Sequence, residues 1–220
     1  MVTGFKGLRL IIFDFDGTLG DTRANIVLTM RQTLERLGYP LPDEDTIAAT
    51  IGVPLEKGFE QMLPDLSPDD VALCARTYRE IFETNRKILV PKLFPHVKET
   101  LETLKKAGFI LTVASSRSSK SLNDFLRDME IAPYISYVLG ADNVTHAKPD
   151  PEPVLKTMAE MGFRADETLV VGDMPVDILM GKGAGTRTCA VTYGNATREE
   201  LVAAGADVVI DDLNSFPAVS

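Results

Sequence analysis

Continuous apolar runs with no polar alternation recur at 10–13, 109–114, 168–171, 188–191 and 206–210, with a weaker one at 137–139. A strand buried on both faces of a parallel sheet reads this way, because neither face meets water. Helical periodicity fills 97–107, 119–129, 153–161, 176–182 and 198–203. Strands alternating with helices of that length predict βαβ units, and so an α/β fold with a doubly wound parallel sheet.

The alternation breaks once. From 21 to 90 the pattern is helical throughout, with helices predicted at 25–37, 43–50, 55–62 and 69–87. On the first, Ile26, Met30, Thr33, Leu34 and Leu37 share one face, and Gly38 ends it. Ser67 is placed to cap the fourth. The division that follows is an α/β core domain at 1–19 and 93–220, with a small all-helical cap at 20–92 inserted after the first strand.

Composition narrows the partners. The chain is 45% hydrophobic and 25% charged over 220 residues, which fits an ordinary globular protein. Its net charge of −9 makes nucleic acid and anionic membrane poor partners. An anion could bind only in a locally positive pocket. Cys74 and Cys189 form no metal or redox motif and read as reduced core thiols. The early apolar run stops at Asp14, and no stretch approaches the roughly 20 residues of a membrane span. A cytoplasmic location is expected, which empties the two N-x-T triplets at Asn143 and Asn195 of meaning for glycosylation.

Four polar clusters then stand out. Asp14-Phe15-Asp16-Gly17-Thr18-Leu19 follows the first strand, and Ser115-Ser116-Arg117 follows the run at 109–114. Lys148 lies in a Lys-Pro-Asp-Pro loop, and Gly172-Asp173-Met174-Pro175-Val176-Asp177 follows the run at 168–171. Taken singly, each also reads as a capped turn, a helix start or a solvated charge. Taken together, they put carboxylates, hydroxyls and a lysine beyond the carboxyl ends of parallel strands, where α/β sheets bind ligands. Few hard oxygen ligands suit Mg²⁺, while lysine and helix-start N–H groups suit phosphate.

With these motifs in this order, the chain resembles the haloacid dehalogenase superfamily, and the resemblance covers essentially its whole length. The segment Thr50-Ile51-Gly52-Val53-Pro54-Leu55 looks like the phosphoglycolate phosphatase and pyrophosphatase branch. The resemblance implies that Asp14 is the nucleophile and forms an aspartyl-phosphate. It implies that Asp16 is the general acid and then the base. Mg²⁺ would be held by Asp14, the backbone carbonyl of Asp16 and Asp173. Ser115 and Lys148 would bind the transferring phosphoryl group, with Ser116 and Arg117 as further phosphate contacts. Asp177 would orient Lys148 or a metal-bound water, and Thr18 would support the loop around Asp16.

Asp16 argues against dehalogenase and phosphonatase chemistry, which lack a carboxylate two residues past the nucleophile. A beta-phosphoglucomutase keeps all four motifs but grips a second phosphate with a basic residue after the cap glycine. Here that place falls on Leu55, and the nearest cation is Lys57. The chain departs from the family's usual pattern at Gly20, Met174 and Ser115, without losing a group the chemistry requires. The cap would close as a lid, hinged at 19–22 and 90–95, and present Gly52, Val53, Pro54, Leu55 and Lys57 to the leaving group. A Mg²⁺-dependent phosphatase of a small phosphorylated metabolite is expected, phosphoglycolate-like or pyrophosphate-like. The alternatives are a mutase and a non-catalytic phosphometabolite sensor. The sequence leaves monomer and homodimer open.

Overall fold

The structure, a computed structural model, describes residues 7–216. The outermost residues of the expected core domain, 1–6 and 217–220, lie outside that range. Six parallel strands form the main sheet: β1 (Leu10–Phe13), β4 (Ile110–Ala114), β5 (Tyr137–Leu139), β6 (Thr168–Gly172), β7 (Arg187–Val191) and β8 (Val208–Ile210). Their order is β5-β4-β1-β6-β7-β8, so β1 is central. All four β1 residues are buried, as a strand covered on both faces requires. Helices α5 (Val97–Lys106), α6 (Ser119–Asp128), α7 (Glu152–Met161), α8 (Pro175–Gly183) and α9 (Arg198–Ala203) connect the strands. The doubly wound α/β expectation holds, and the predicted strand positions agree to within two residues.

Register decides where the polar clusters go. Phe13 pairs with Val113 on one side and Val171 on the other. The carboxyl ends of β1, β4 and β6 are therefore flush. Asp14, Ser115 and Asp173, each just beyond its strand, leave the sheet along one edge.

Between β1 and β4 the chain departs into a helical block: α1 (Arg23–Leu37), α2 (Glu44–Ala48), α3 (Leu55–Met62) and α4 (Pro68–Ile88). Gly38 ends α1 in the left-handed conformation, at φ 75°. The Ser67 side chain caps α4, accepting from Asp70 N–H. Buried Asn85 of α4 donates to Thr29 and Gln32 of α1, at 2.9 and 2.8 Å. The two crossings into and out of this block carry short strands that the sequence pattern does not show. β2 (Gly20–Asp21) and β3 (Lys92–Leu93) pair antiparallel.

The block and the sheet share one hydrophobic core. An aromatic chain crosses between them. Phe15 meets Phe125 of α6 at 5.5 Å between ring centroids, and Phe125 meets Phe82 of α4 at 6.1 Å. Phe82 stacks on Tyr78 at 5.7 Å.

Candidate active site

The sheet edge gathers a buried charged cluster. Lys148 reaches it from the loop before α7 and is only 5% exposed. Its Nζ donates to Asp14 Oδ1 at 2.5 Å and to Asp177 Oδ1 at 2.7 Å. The other Asp177 oxygen accepts from Met174 N–H at the start of α8. Asp177 thus holds both Lys148 and the start of α8. Burial opposes the lysine charge, but Asp14 and Asp177 outweigh it and hold the ammonium above its ordinary pKa.

Asp173 is fully buried beside this cluster. Oδ1 accepts from Thr18 Oγ1 at 3.0 Å, and Oδ2 accepts from Asn195 N–H and Nδ2 at 2.8 and 2.9 Å. The Thr18 hydroxyl, expected to support the loop around Asp16, bonds Asp173. Asn195 is a site residue that sequence reading missed. Its only signal is its place, four residues beyond β7 at the same sheet edge. The approach is close enough to demand glycine. A Cβ on Gly17 would lie 2.1 Å from Asp173 Oδ2, and Gly17 also has φ +89°.

Burial raises the carboxyl of Asp14 well above its ordinary range, with Lys148 pulling the other way. Burial, then the neighbouring Asp177, raises Asp173 to about 7. Asp14, Asp173 and Asp177 each offer an oxygen, all within 4.8 Å of one another, so this cluster can hold a metal ion. Buried Asp14 Oδ2 has no hydrogen-bond partner. An orphaned, buried carboxylate oxygen among hard donors is what a divalent cation would satisfy.

Asp16 stands apart from that acidic cluster. Its side chain accepts from Thr22 Oγ1 at 2.6 Å and from the Arg117 guanidinium at 2.7 Å. Arg117 is thus engaged with Asp16 and is not free to face a phosphate. Ser116, also expected on phosphate, instead donates to the Gly52 carbonyl of the helical block at 2.7 Å. Ser115 accepts from Arg117 N–H at 3.2 Å beside the end of β4. The cap of α6 is Ser118, so neither Ser115 nor Ser116 is spent on capping.

Over Asp16 a cavity of about 500 Å³ opens between the sheet edge and the block. Gly52, Val53, Pro54 and Leu55 line it, with Tyr78, Phe82 and Arg79 of α4. Lys57 does not. It pairs with Glu60 at 2.7 Å on the outside. The block's cation at the cavity is Arg79, paired with Glu56 at 2.7 Å. His146, isolated in sequence, comes together with Asp150 and Glu152, where its ring lies 3.0 Å from Glu152.

Buried lysine, clustered carboxylates and an adjoining cleft at a sheet's carboxyl edge are the makings of a hydrolase site of the phosphoryl-transfer kind. The comparisons agree. Residues 11–191 match the model of the haloacid dehalogenase-like hydrolase family, and the chain belongs to it as a phosphatase. It is similar to the probable phosphatase IndB of Dickeya dadantii, 41% identical over 92% of this chain and 89% of that one. It is similar to the phosphoglycolate phosphatase of Vibrio cholerae, 34% identical over 96% of each. A haloacid dehalogenase-like hydrolase from Bacteroides fragilis shares its fold with a TM-score of 0.86. That structure is 31% identical, and the match covers 95% of this chain and 99% of that one. No described helix is long and apolar enough to cross a membrane.

Proposed function

We propose that the chain is a Mg²⁺-dependent phosphatase of small phosphorylated metabolites, phosphoglycolate-like monoesters or pyrophosphate, acting through an aspartyl-phosphate on Asp14. The observation that carries this reading is the Lys148 bridge between Asp14 and Asp177, which leaves Asp14 Oδ2 buried and unpartnered.

Asp14 is the nucleophile, through its unpartnered oxygen. Lys148 offsets the repulsion between that carboxylate and an anionic substrate, and Asp177 keeps the ammonium aimed. Ser115 and the N–H groups after β4 hold phosphoryl oxygens. Asp16 gives a proton to the leaving oxygen and later takes one from the attacking water. Asp14, Asp173 and the Asp16 carbonyl would hold Mg²⁺, whose charge stabilises the transferring phosphoryl group. The helical block acts as the lid over this floor, its paired β2 and β3 crossings as hinges, and Ser116 to Gly52 as a closing contact.

A mutase needs a free cation on the lid for a second phosphate. Here the place after Gly52 falls on Leu55, and Lys57 lies outside the cavity, which favours hydrolysis. The test is phosphate release from a panel of small phosphoesters and pyrophosphate, with Mg²⁺ and with EDTA, on wild type and Asp14→Asn. Mg²⁺-dependent release lost in the variant supports the reading. Conversion of glucose 1-phosphate without net release, once a bisphosphate is added, would replace it with a mutase. Binding without turnover would replace it with a sensor.

A further inference from the structure

Asp16 is held by an arginine whose geometry points beyond phosphate binding. Arg117 Nε lies 2.7 Å from Asp16 Oδ2 and 2.8 Å from Oδ1, and Nη2 donates to Oδ1 at 2.7 Å. Thr22 adds its hydroxyl to Oδ1. Oδ1 is thus engaged by three groups and Oδ2 by one, so Oδ2 keeps the lone-pair capacity for proton exchange. The guanidinium also stacks on two rings. Its carbon lies 4.9 Å from the Phe82 centroid and 4.8 Å from the Phe125 centroid. Phe125 belongs to α6 of the sheet layer, whereas Phe82 belongs to α4 of the helical block. The Arg117 side chain is 12% exposed.

A bidentate fork fixes a carboxylate's direction as well as its place, which a lone ammonium does not. Half of the stacking that fixes the fork comes from the lid. We propose that Arg117 is a positioning residue that aims Asp16 Oδ2 at the leaving oxygen, and that Phe82 makes this aim depend on the lid being seated. The proposal rests on the reading of Asp16 as acid and base. In the first step the bond from phosphorus to the leaving oxygen breaks as the bond to Asp14 forms, and the Oδ2 proton passes to the leaving oxygen. In the second, water attacks phosphorus, its proton goes to Oδ2, and inorganic phosphate leaves Asp14. Misplacing a proton donor by about 1 Å costs on the order of 10²-fold, but only where the leaving group needs the proton. An alkoxide needs it; a nitrophenolate leaves without it.

The experiment compares kcat/KM for an alkyl phosphate and p-nitrophenyl phosphate in wild type, Arg117→Gln, Arg117→Lys and Phe82→Leu, each checked for folding by circular dichroism. kcat/KM reports the step in which the leaving group departs. Arg117→Gln is expected to lose on the order of 10²-fold on the alkyl ester and less than about fivefold on the nitrophenyl ester. Arg117→Lys, which keeps the charge without the fork, falls between. Phe82→Leu shifts the ratio the same way by a smaller factor. Should Arg117→Gln not fold, the last two variants carry the test. Equal losses on both esters would overturn the proposal and make Arg117 a general phosphate or packing residue. Asp14→Asn separates the two readings. If it keeps activity on nitrophenyl phosphate, the aspartyl-phosphate reading fails, whatever Arg117 does.

Discussion

The floor of the site and its roof are built by different rules. On the floor, Asp14, Lys148, Asp173 and Asp177 are each at most 5% exposed; Lys148 bonds Asp14 and Asp177, and Asp173 bonds Thr18, across long stretches of chain. Asp14 and Asp173 are placed by the shared register of β1 and β6, and Lys148 and Asp177 by the buried ion pairs that join them to Asp14 and to each other. On the roof, Glu56, Lys57, Glu60 and Arg79 form ion pairs with side chains 45–65% exposed, which contribute little and can rearrange. A rigid floor suits chemistry common to many substrates. A roof held by weak contacts suits opening, closing and a choice of leaving group. Mutations should accordingly split into large effects below and small ones above.

The largest expected effect is chemical. Asp14→Asn removes the proposed nucleophile and should lower phosphate release by at least about 10³-fold, measured at saturating substrate and Mg²⁺. Next comes stability. Lys148→Met leaves Asp14 and Asp177 buried without their cation, a loss of about 3–5 kcal/mol, read from the urea midpoint with EDTA present. A drop no larger than that of a surface lysine would deny the floor its rigidity.

The pH dependence sharpens the same contrast. Burial and Asp177 raise Asp173 to about 7 from an ordinary 3.8. A carboxyl raised in the folded state stabilises it in the protonated form. That contribution is full below about pH 4 and is lost as pH rises through about 7. A divalent cation held there would replace the proton, so its grip would strengthen over the same window. The rise in melting temperature on adding Mg²⁺ should be greater near pH 7.5 than near pH 5. An equal or smaller rise near pH 7.5 would place the metal elsewhere.

Effects on the roof should be modest. Ser116→Ala removes the hydroxyl bonded to the Gly52 carbonyl, worth about 1 kcal/mol, and should change kcat/KM by less than about tenfold. Lys57→Ala, outside the cavity, should change kcat/KM by less than about twofold on any ester. A large loss for Lys57→Ala would return the mutase to consideration.

What the sequence made legible follows the same division. The strands were readable because burial on both faces leaves a continuous apolar run, as Leu10–Phe13 shows. Asp14 and Asp173 were readable because each directly follows such a strand, whereas Lys148, in the loop after β5, and Asp177, inside α8, came with the motifs of the resemblance. Partnerships were harder. Thr18 bonds Asp173 across 155 positions, and Arg117 bonds Asp16 across 101. Only the sheet order brings such residues together, and local pattern does not encode it. Asn195 was hidden because it belongs to no short motif, only to the loop after β7. The β2–β3 pair was hidden because two residues on each side are too few for a period. Lys57 looked available from its place after Gly52, yet helix geometry turns it to Glu60, three residues on.

The central claim is that Asp14 carries the phosphoryl group in passing. The most direct measurement mixes enzyme, Mg²⁺ and a phosphoester, quenches in acid within the first turnover, and maps the adduct by peptide mass spectrometry. The account predicts a phosphoryl group on the peptide spanning Asp14, absent with EDTA and absent in Asp14→Asn. Full turnover with no adduct at any quench time, or an adduct on another residue, would contradict it.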